Sequence, residues 1–260
     1  MAYRLRALLA ALIVAPLWLS AQSESFRLGY FELPPHTQNE AGSAGPALHY
    51  FDKIAARMQV EVRYLPMPLS RLLKQLENNE LDAALILAKS PDRQQLFIYP
   101  QQAFFITQGA LTVRKSIPSN LNAFLKNQNY RVALSQQGYQ SEQLRSFAGR
   151  FVMLSGDNVS ARAAEMMEKG RLDAFYEPDI YSLRHSIEHN TFGSALYILE
   201  LPQDQVPLYT VFSRQGAEKY LQSYQQALQQ QAKELGYIDY LTQWLKTQAA
   251  VAKPQQQKHP

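Results

Sequence analysis

The run Ser90-Pro91-Asp92-Arg93 carries the most explicit chemistry in the chain. Serine suits a helix N-cap, proline the first helical position, and an acid in the first turn complements the helix dipole. The free N–H groups of such a helix start, joined by the fixed donor fork of a guanidinium, make a carboxylate clamp, so Arg93 with Ser90 is the expected anion-binding group. Tyr30 and Phe31, near the end of the first apolar run, offer a stacking wall for an organic ligand, although Phe31 reads equally well as core. Arg71, at a helix start behind Pro68, is either a second cationic contact or a solvated surface residue. His185 and His189 stand at i and i+4, but the adjacent glutamate of a zinc-protease helix and a third ligand are missing, so no metal is expected. The chain has no cysteine, which excludes thiol nucleophiles, thiolate metal sites and disulfides. It also has no glycine-rich phosphate loop, nucleophile elbow or basic aromatic platform, and no cofactor is expected.

The elements that must position these residues alternate strand-like runs with stretches of helical period, the pattern of βα units and a mostly parallel sheet. Phe26 to Phe31 reads as a strand. Leu48, Phe51, Ile54, Ala55 and Met58 mark one face of a helix, and a strand follows around Val60 to Tyr64. Leu69, Leu72, Leu73 and Leu76 line the next helix. Asp82 to Ala88 is the continuous apolar run of a strand buried on both faces. A second series starts after Pro118 and Ser119, with strands near Tyr130 to Leu134 and Phe151 to Leu154 and a helix from Ser160 to Lys169. Gly170-Arg171-Leu172-Asp173-Ala174-Phe175 then echoes Asn79-Glu80-Leu81-Asp82-Ala83-Ala84 of the first series. Apolar runs at Leu196 to Leu201 and Leu208 to Phe212 precede two helices, Ala217 to Leu235 and Ile238 to Leu245, which are expected to return to the first lobe. The fold class is α/β, with two Rossmann-like lobes joined by a two-strand hinge, one crossing near Phe104 to Leu111 and the other near Leu201 to Tyr209. Residues 24–107 and 206–248 form the first lobe and 108–205 the second, with a flexible tail at 249–260. A ligand cleft is expected between the lobes, beyond the carboxyl ends of their strands.

The chain has 260 residues, 46% hydrophobic and 18% charged, a balance that excludes disorder. Its net charge of +4, or +2 without Arg4 and Arg6, gives no nucleic-acid footprint. Arg4 and Arg6 precede the uncharged run Ala7 to Ala21, too short to span the roughly 30 Å bilayer core and suited to a secretory signal over residues 1–22, cleaved near Ala21 to Ser23. The alternative is an uncleaved anchor.

In order and spacing these motifs resemble the type II periplasmic solute-binding proteins, in particular the polar amino-acid receptor family (solute-binding family 3) of ABC transporters. The resemblance rests on Leu28-Gly29 with Pro34-Pro35, Gly45 leading into Phe51-Asp52, and Leu81-Asp82-Ala83. It continues through Ser90 to Arg93, Phe97, Tyr99-Pro100, Gly138 with Glu142, Gly170 to Ala174, and Gly236-Tyr237-Ile238 to Trp244. It implies that Arg93 binds a ligand α-carboxylate. The hydroxyl residues that usually precede that arginine are Leu85, Ile86 and Ala88 here, leaving Ser90. The aspartate that pairs with the ligand ammonium falls on Pro178, flanked by Glu177 and Asp179, either of which can substitute. After the second-lobe glycine come Tyr139, Gln140 and then Ser141, and Leu69 replaces the aromatic that covers the ligand. The expected function is a periplasmic, monomeric, non-enzymatic receptor. It would capture a small polar, carboxylate-bearing solute, an amino acid or related organic acid, and pass it to an inner-membrane ABC permease or a sensor. The alternatives are a dehydratase-like enzyme acting on cyclic carboxylates, with Glu177, Asp179 or Glu32 as acid or base, and a degenerate module acting through a protein partner.

Overall fold

Strand β1 (Phe26–Tyr30) turns Phe26, Leu28 and Tyr30 into the first core and pairs in parallel with β2 (Val62–Pro66) and β3 (Ala83–Ala88). The structure, a computed structural model, describes residues 25–38, 45–136, 138–155, 159–189 and 196–252. The expected signal segment and residues 253–260 of the expected tail lie outside these.

Helix α1 (Pro46–Met58) begins with proline at its first turn and buries Leu48, Phe51, Ile54 and Ala55, spaced as one helical face requires. Helix α2 (Leu69–Glu77) buries Leu72 and Leu76, an i, i+4 pair. All six residues of β3 are buried, as its uninterrupted apolar run predicts. Helix α3 (Pro91–Leu96) follows directly.

The second lobe repeats this wiring. Strand β5 (Arg131–Ser135) pairs in parallel with β6 (Arg150–Leu154) and β7 (Ala174–Glu177), and is connected through α5 (Val159–Glu168) and flanked by α4 (Leu121–Lys126) and α6 (Ile180–Glu188). Two antiparallel strands join the lobes, β4 (Phe105–Arg114) and β8 (Leu196–Phe212). The sheet runs β2-β1-β3-β8-β4-β7-β5-β6. Helices α7 (Arg214–Glu234) and α8 (Tyr237–Ala252) return to the first lobe, where Tyr224, Leu228, Tyr237 and Leu241 join the β1 core. Helix α8 extends past Leu245 into residues read from sequence as tail.

The two runs expected at Leu196 to Leu201 and Leu208 to Phe212 are one 17-residue strand. Pro202 and the polar residues around it break the apolar pattern and interrupt the ladder, whose pairing to β4 runs as far as Glu200 and resumes at Gln205. Thr107 and Gln108 of β4 continue to pair with Val206 and Gln205, while Gln203 and Gln205 face solvent and Asp204 is buried against Tyr176, whose hydroxyl donates to it at 2.8 Å. The register shifts between Gln108 and Ala110, and a Cβ on Gly109 would lie 2.0 Å from Asp204 Oδ2, so only glycine fits at that point of the hinge.

The sequence echo has a physical basis. In the first lobe, Asp82 accepts from the Arg27 backbone N–H at 2.8 Å and its Nε at 3.1 Å, while Arg27 Nη2 also donates to Asn79 O at 3.1 Å. In the second, Asp173 accepts from the Arg131 backbone N–H at 2.8 Å and its Nε at 3.2 Å, while Arg131 Nη2 donates to Gly170 O at 2.6 Å. Asn79 and Gly170 both adopt left-handed backbone, with φ of 59° and 65°. Each lobe thus fastens the start of its first strand to the start of its buried central strand with the same arginine–aspartate clamp.

Candidate ligand site between the lobes

A cavity of about 770 Å³ lies between the lobes, walled by the carboxyl ends of β1, β2 and β3 on one side and of β5, β6 and β7 on the other. Its position is the one that open α/β sheets give their ligands.

Arg93 stands on the first-lobe wall, 9% exposed, with Nη1 donating to the Ala88 carbonyl at 3.1 Å. Burial lowers its pKa, opposed by Tyr99. Helix α3 that carries it is only six residues long, and Ser90 Oγ already accepts from the Arg93 backbone N–H at 3.3 Å. Of the expected pair, only the Arg93 guanidinium lines the cavity, and Ser90 serves as the helix cap.

Glu177 ends β7 on the opposite wall, half-buried, with Ser160 Oγ donating to it at 3.4 Å. Burial, with a further push from the negative charge of Asp179, raises its pKa to about 8 against the weaker pull of Ser160. Asp179 does not reach the cavity. It caps α6, 1% exposed, and accepts from Ser182 N at 3.0 Å, Ser182 Oγ at 2.7 Å and Thr107 Oγ1 at 2.6 Å. It also pairs with His36 Nε2 at 2.8 Å, and His36 Nδ1 lies 2.7 Å from the Tyr237 hydroxyl. Burial raises the Asp179 pKa, but His36 and the hydrogen bonds from His36, Thr107 and Ser182 outweigh it and bring the value down to about 2. This buried network ties the loop after β1 and the start of α8 to the second lobe beside the hinge.

Phe31, Leu69 and Tyr139, expected from sequence, also line the cavity. The remaining expected contacts sit elsewhere. Tyr30 is 6% exposed within the first core. Alternation along β1 sends it to the opposite face from its neighbour. Arg71 is exposed on α2 and Gln140 is exposed on its loop. Ser141 is buried and accepts from Leu144 N at 3.3 Å, and it hydrogen-bonds Asp204. His185 reaches the cavity, its pKa lowered by burial and by His189, whose ring centroid is 4.0 Å away. Among the described residues no group of three His, Cys, Asp or Glu could hold a metal.

Sequence reasoning missed the second-lobe hydroxyls. Ser135, Ser155, Ser160 and Ser186 line the cavity and add hydroxyl donors and acceptors to the single first-lobe serine there, Ser70. Ser135 closes the run Val132-Ala133-Leu134 and Ser155 closes Val152-Met153-Leu154. A serine at or directly after the carboxyl end of a strand in a parallel sheet is a usable signal.

The family model for bacterial extracellular solute-binding proteins, family 3, matches residues 32–247. No curated protein matches the chain. Solved structures share the fold at low identity. The arginine-, lysine-, histidine-binding protein ArtJ of Geobacillus stearothermophilus superposes with a TM-score of 0.68 at 14% identity, over 85% of this chain and 95% of that one. A histidine kinase sensor domain similar to periplasmic binding proteins gives 0.69 at 18%, over 85% and 96%. The ancestral amino acid-binding protein AncCDT-1, a precursor of cyclohexadienyl dehydratase, gives 0.65 at 17%, over 85% and 95%. With a two-lobed α/β architecture, a cavity at the facing strand ends and a family match over most of its length, the chain belongs to the bacterial extracellular solute-binding proteins, family 3.

Proposed function

We propose that the chain is an exported receptor that captures a small carboxylate-bearing solute between its lobes and presents it to an inner-membrane ABC permease or a sensor, without catalysing a reaction. The observation that carries this reading is the placement of Arg93 and Glu177 on facing walls of one cavity. A guanidinium suits a carboxylate, and a carboxyl suits an ammonium. Residues 24–107 and 206–248 would move as one body and 108–205 as the other, hinged on β4 and β8, and the receptor would act as a monomer. Among the described residues no helix is long and apolar enough to cross a membrane. Calorimetry on ligands found by a thermal-shift screen of amino acids, opines, polyamines and organic acids tests the reading. Arg93→Ala should lose at least about 2 kcal/mol, as truncation of a buried charge pair does. Unchanged binding removes Arg93 from recognition.

One observation favours a second reading. A carboxyl with a pKa of about 8 facing a cavity, as Glu177 is, remains protonated at neutral pH and meets the requirement for a general acid. The fold is shared with an ancestor of cyclohexadienyl dehydratase. Turnover of a prephenate-like cyclic carboxylate, abolished by Glu177→Gln, would establish catalysis. Stoichiometric binding without turnover supports the receptor.

A further inference from the structure

We propose that the cavity selects an amino-acid zwitterion carrying a bulky apolar or aromatic side chain and rejects acidic and basic side chains, an inference that rests on the receptor reading above. The first reason is charge. Among the described residues lining the cavity, Arg93 is the sole arginine or lysine. Once it holds a ligand carboxylate, a second carboxylate finds no further arginine or lysine among the described lining residues, and His185 is disfavoured from charging by its burial and by His189. The acids among the described lining residues are Glu177, which serves the ammonium, and Glu32, which is exposed. A basic side chain would therefore have to reach back toward solvent.

The second reason is the chemistry of the first-lobe wall, where Phe31, Leu33, Met67 and Leu69 line the cavity, with Ser70 and the exposed Glu32 as its polar side chains besides Arg93. A charged group placed against such a surface is stripped of water with nothing to replace it, whereas an apolar group gains from the same desolvation. The serines that do line the cavity lie mainly on the facing lobe, near Glu177, where the polar end of a zwitterion would sit.

The third reason is Ile86 itself. It adopts φ of 60°, in the left-handed region that a β-branched residue rarely enters, where the β3 and β8 register shifts between Ala84 and Leu87. Backbone strain of this kind concentrates at ligand sites. The Ile86 side chain is 3% exposed and packs into the first core, so the strained turn of β3 backs this wall with apolar packing. The volume of about 770 Å³ also accommodates a large side chain, falling within the range of roughly 300–1,000 Å³ for small-molecule sites.

The test is calorimetry of the purified chain with leucine, phenylalanine and tryptophan against aspartate, glutamate, arginine and lysine, on the wild type, Arg93→Ala and Leu69→Lys. Leu69 is half-buried at the start of α2, so lysine there can be accommodated. The expected result is binding of the apolar set at least 100-fold tighter than the charged set. Arg93→Ala should weaken it, and Leu69→Lys should weaken apolar ligands at least tenfold while raising affinity for aspartate or glutamate. Tight binding of a charged amino acid that is lost in Arg93→Ala overturns the selectivity and leaves the receptor reading standing. Binding of apolar ligands unaffected by Leu69→Lys overturns the assignment of this wall. No binding of any amino acid overturns the selectivity, and the receptor reading fails with it only if the wider screen of opines, polyamines and organic acids is also blank.

Discussion

Glu177 and Asp179 flank Pro178 at the end of β7 and carry opposite electrostatics because one faces the cavity with a single weak donor and the other is enclosed by His36, Thr107 and Ser182. The consequences for pH have opposite signs. Glu177 is raised to about 8, so the native state holds its proton where the unfolded chain has released it. Its contribution to stability is present below the unfolded carboxyl pKa and is lost as pH climbs through about 8. Glu177→Gln should therefore flatten the fall in melting temperature between about pH 5 and 8, measured without ligand. An amino-acid ammonium needs the carboxylate, so binding near pH 7 should expel a proton. Calorimetry in two buffers of different ionisation enthalpy should detect that release in the wild type and not in Glu177→Gln. Asp179 is lowered to about 2, so its contribution is present above the unfolded value and disappears as pH falls through about 2. His36 and Asp179 are 0% and 1% exposed, and breaking a buried pair of this kind costs about 3–5 kcal/mol. His36→Phe should show that loss in urea unfolding at pH 7, with a weaker decline in stability on acidification than the wild type.

At the scale of elements, the hinge depends on a single close approach. Alanine at position 109 would bring a methyl carbon onto the Asp204 carboxylate, and overpacking of this kind costs about 1–3 kcal/mol. Gly109→Ala should lose stability by that amount, and the loss should shrink in an Asp204→Ala background, which a double-mutant cycle on urea midpoints will read. The elements themselves were largely legible in the amino-acid order. The apolar run of β3, the Leu72 and Leu76 spacing of α2 and the repeated aspartate before β3 and β7 each follow from local periodicity. Strand β8 was not, because hydropathy reports which side chains are buried, whereas extended backbone carries β8 through the register shift that separates the β4 pairings of Glu200 and Gln205. The lining of the cavity was legible where a motif fixed it, as at Arg93, and where a strand end pointed into the cleft, as at Phe31 and Glu177. His36 was beyond reach, since it meets Asp179 143 positions away and neither neighbourhood announces the other. Asp179 was indistinguishable from Glu177 for the same reason: which of the two acids flanking Pro178 faces the cavity is set by the cap of α6 and by Thr107 of the hinge.

The whole molecule couples these parts through the two strands that cross between lobes. A ligand held by Arg93 on one wall and Glu177 on the other binds only when both walls are in place, so it stabilises the folded and assembled cavity over the unfolded chain. Mass action fixes the size of the effect at about 2.7 kcal/mol when free ligand stands at 100 times its dissociation constant. For a chain of this length, a change of 1 kcal/mol moves the melting temperature by about 2–4 °C. A thermal melt of the wild type at that ligand concentration should therefore shift upward by about 5–10 °C. The same ligand concentration should give a much smaller shift in Arg93→Ala, and small-angle scattering should show the wild type becoming more compact on ligand addition as the lobes close on β4 and β8. An equal thermal shift in both proteins would place the ligand away from the inter-lobe cavity. A full shift with no change in scattering would mean instead that the cavity takes its ligand without hinge motion, with His36 and Asp179 holding the lobes at a fixed angle.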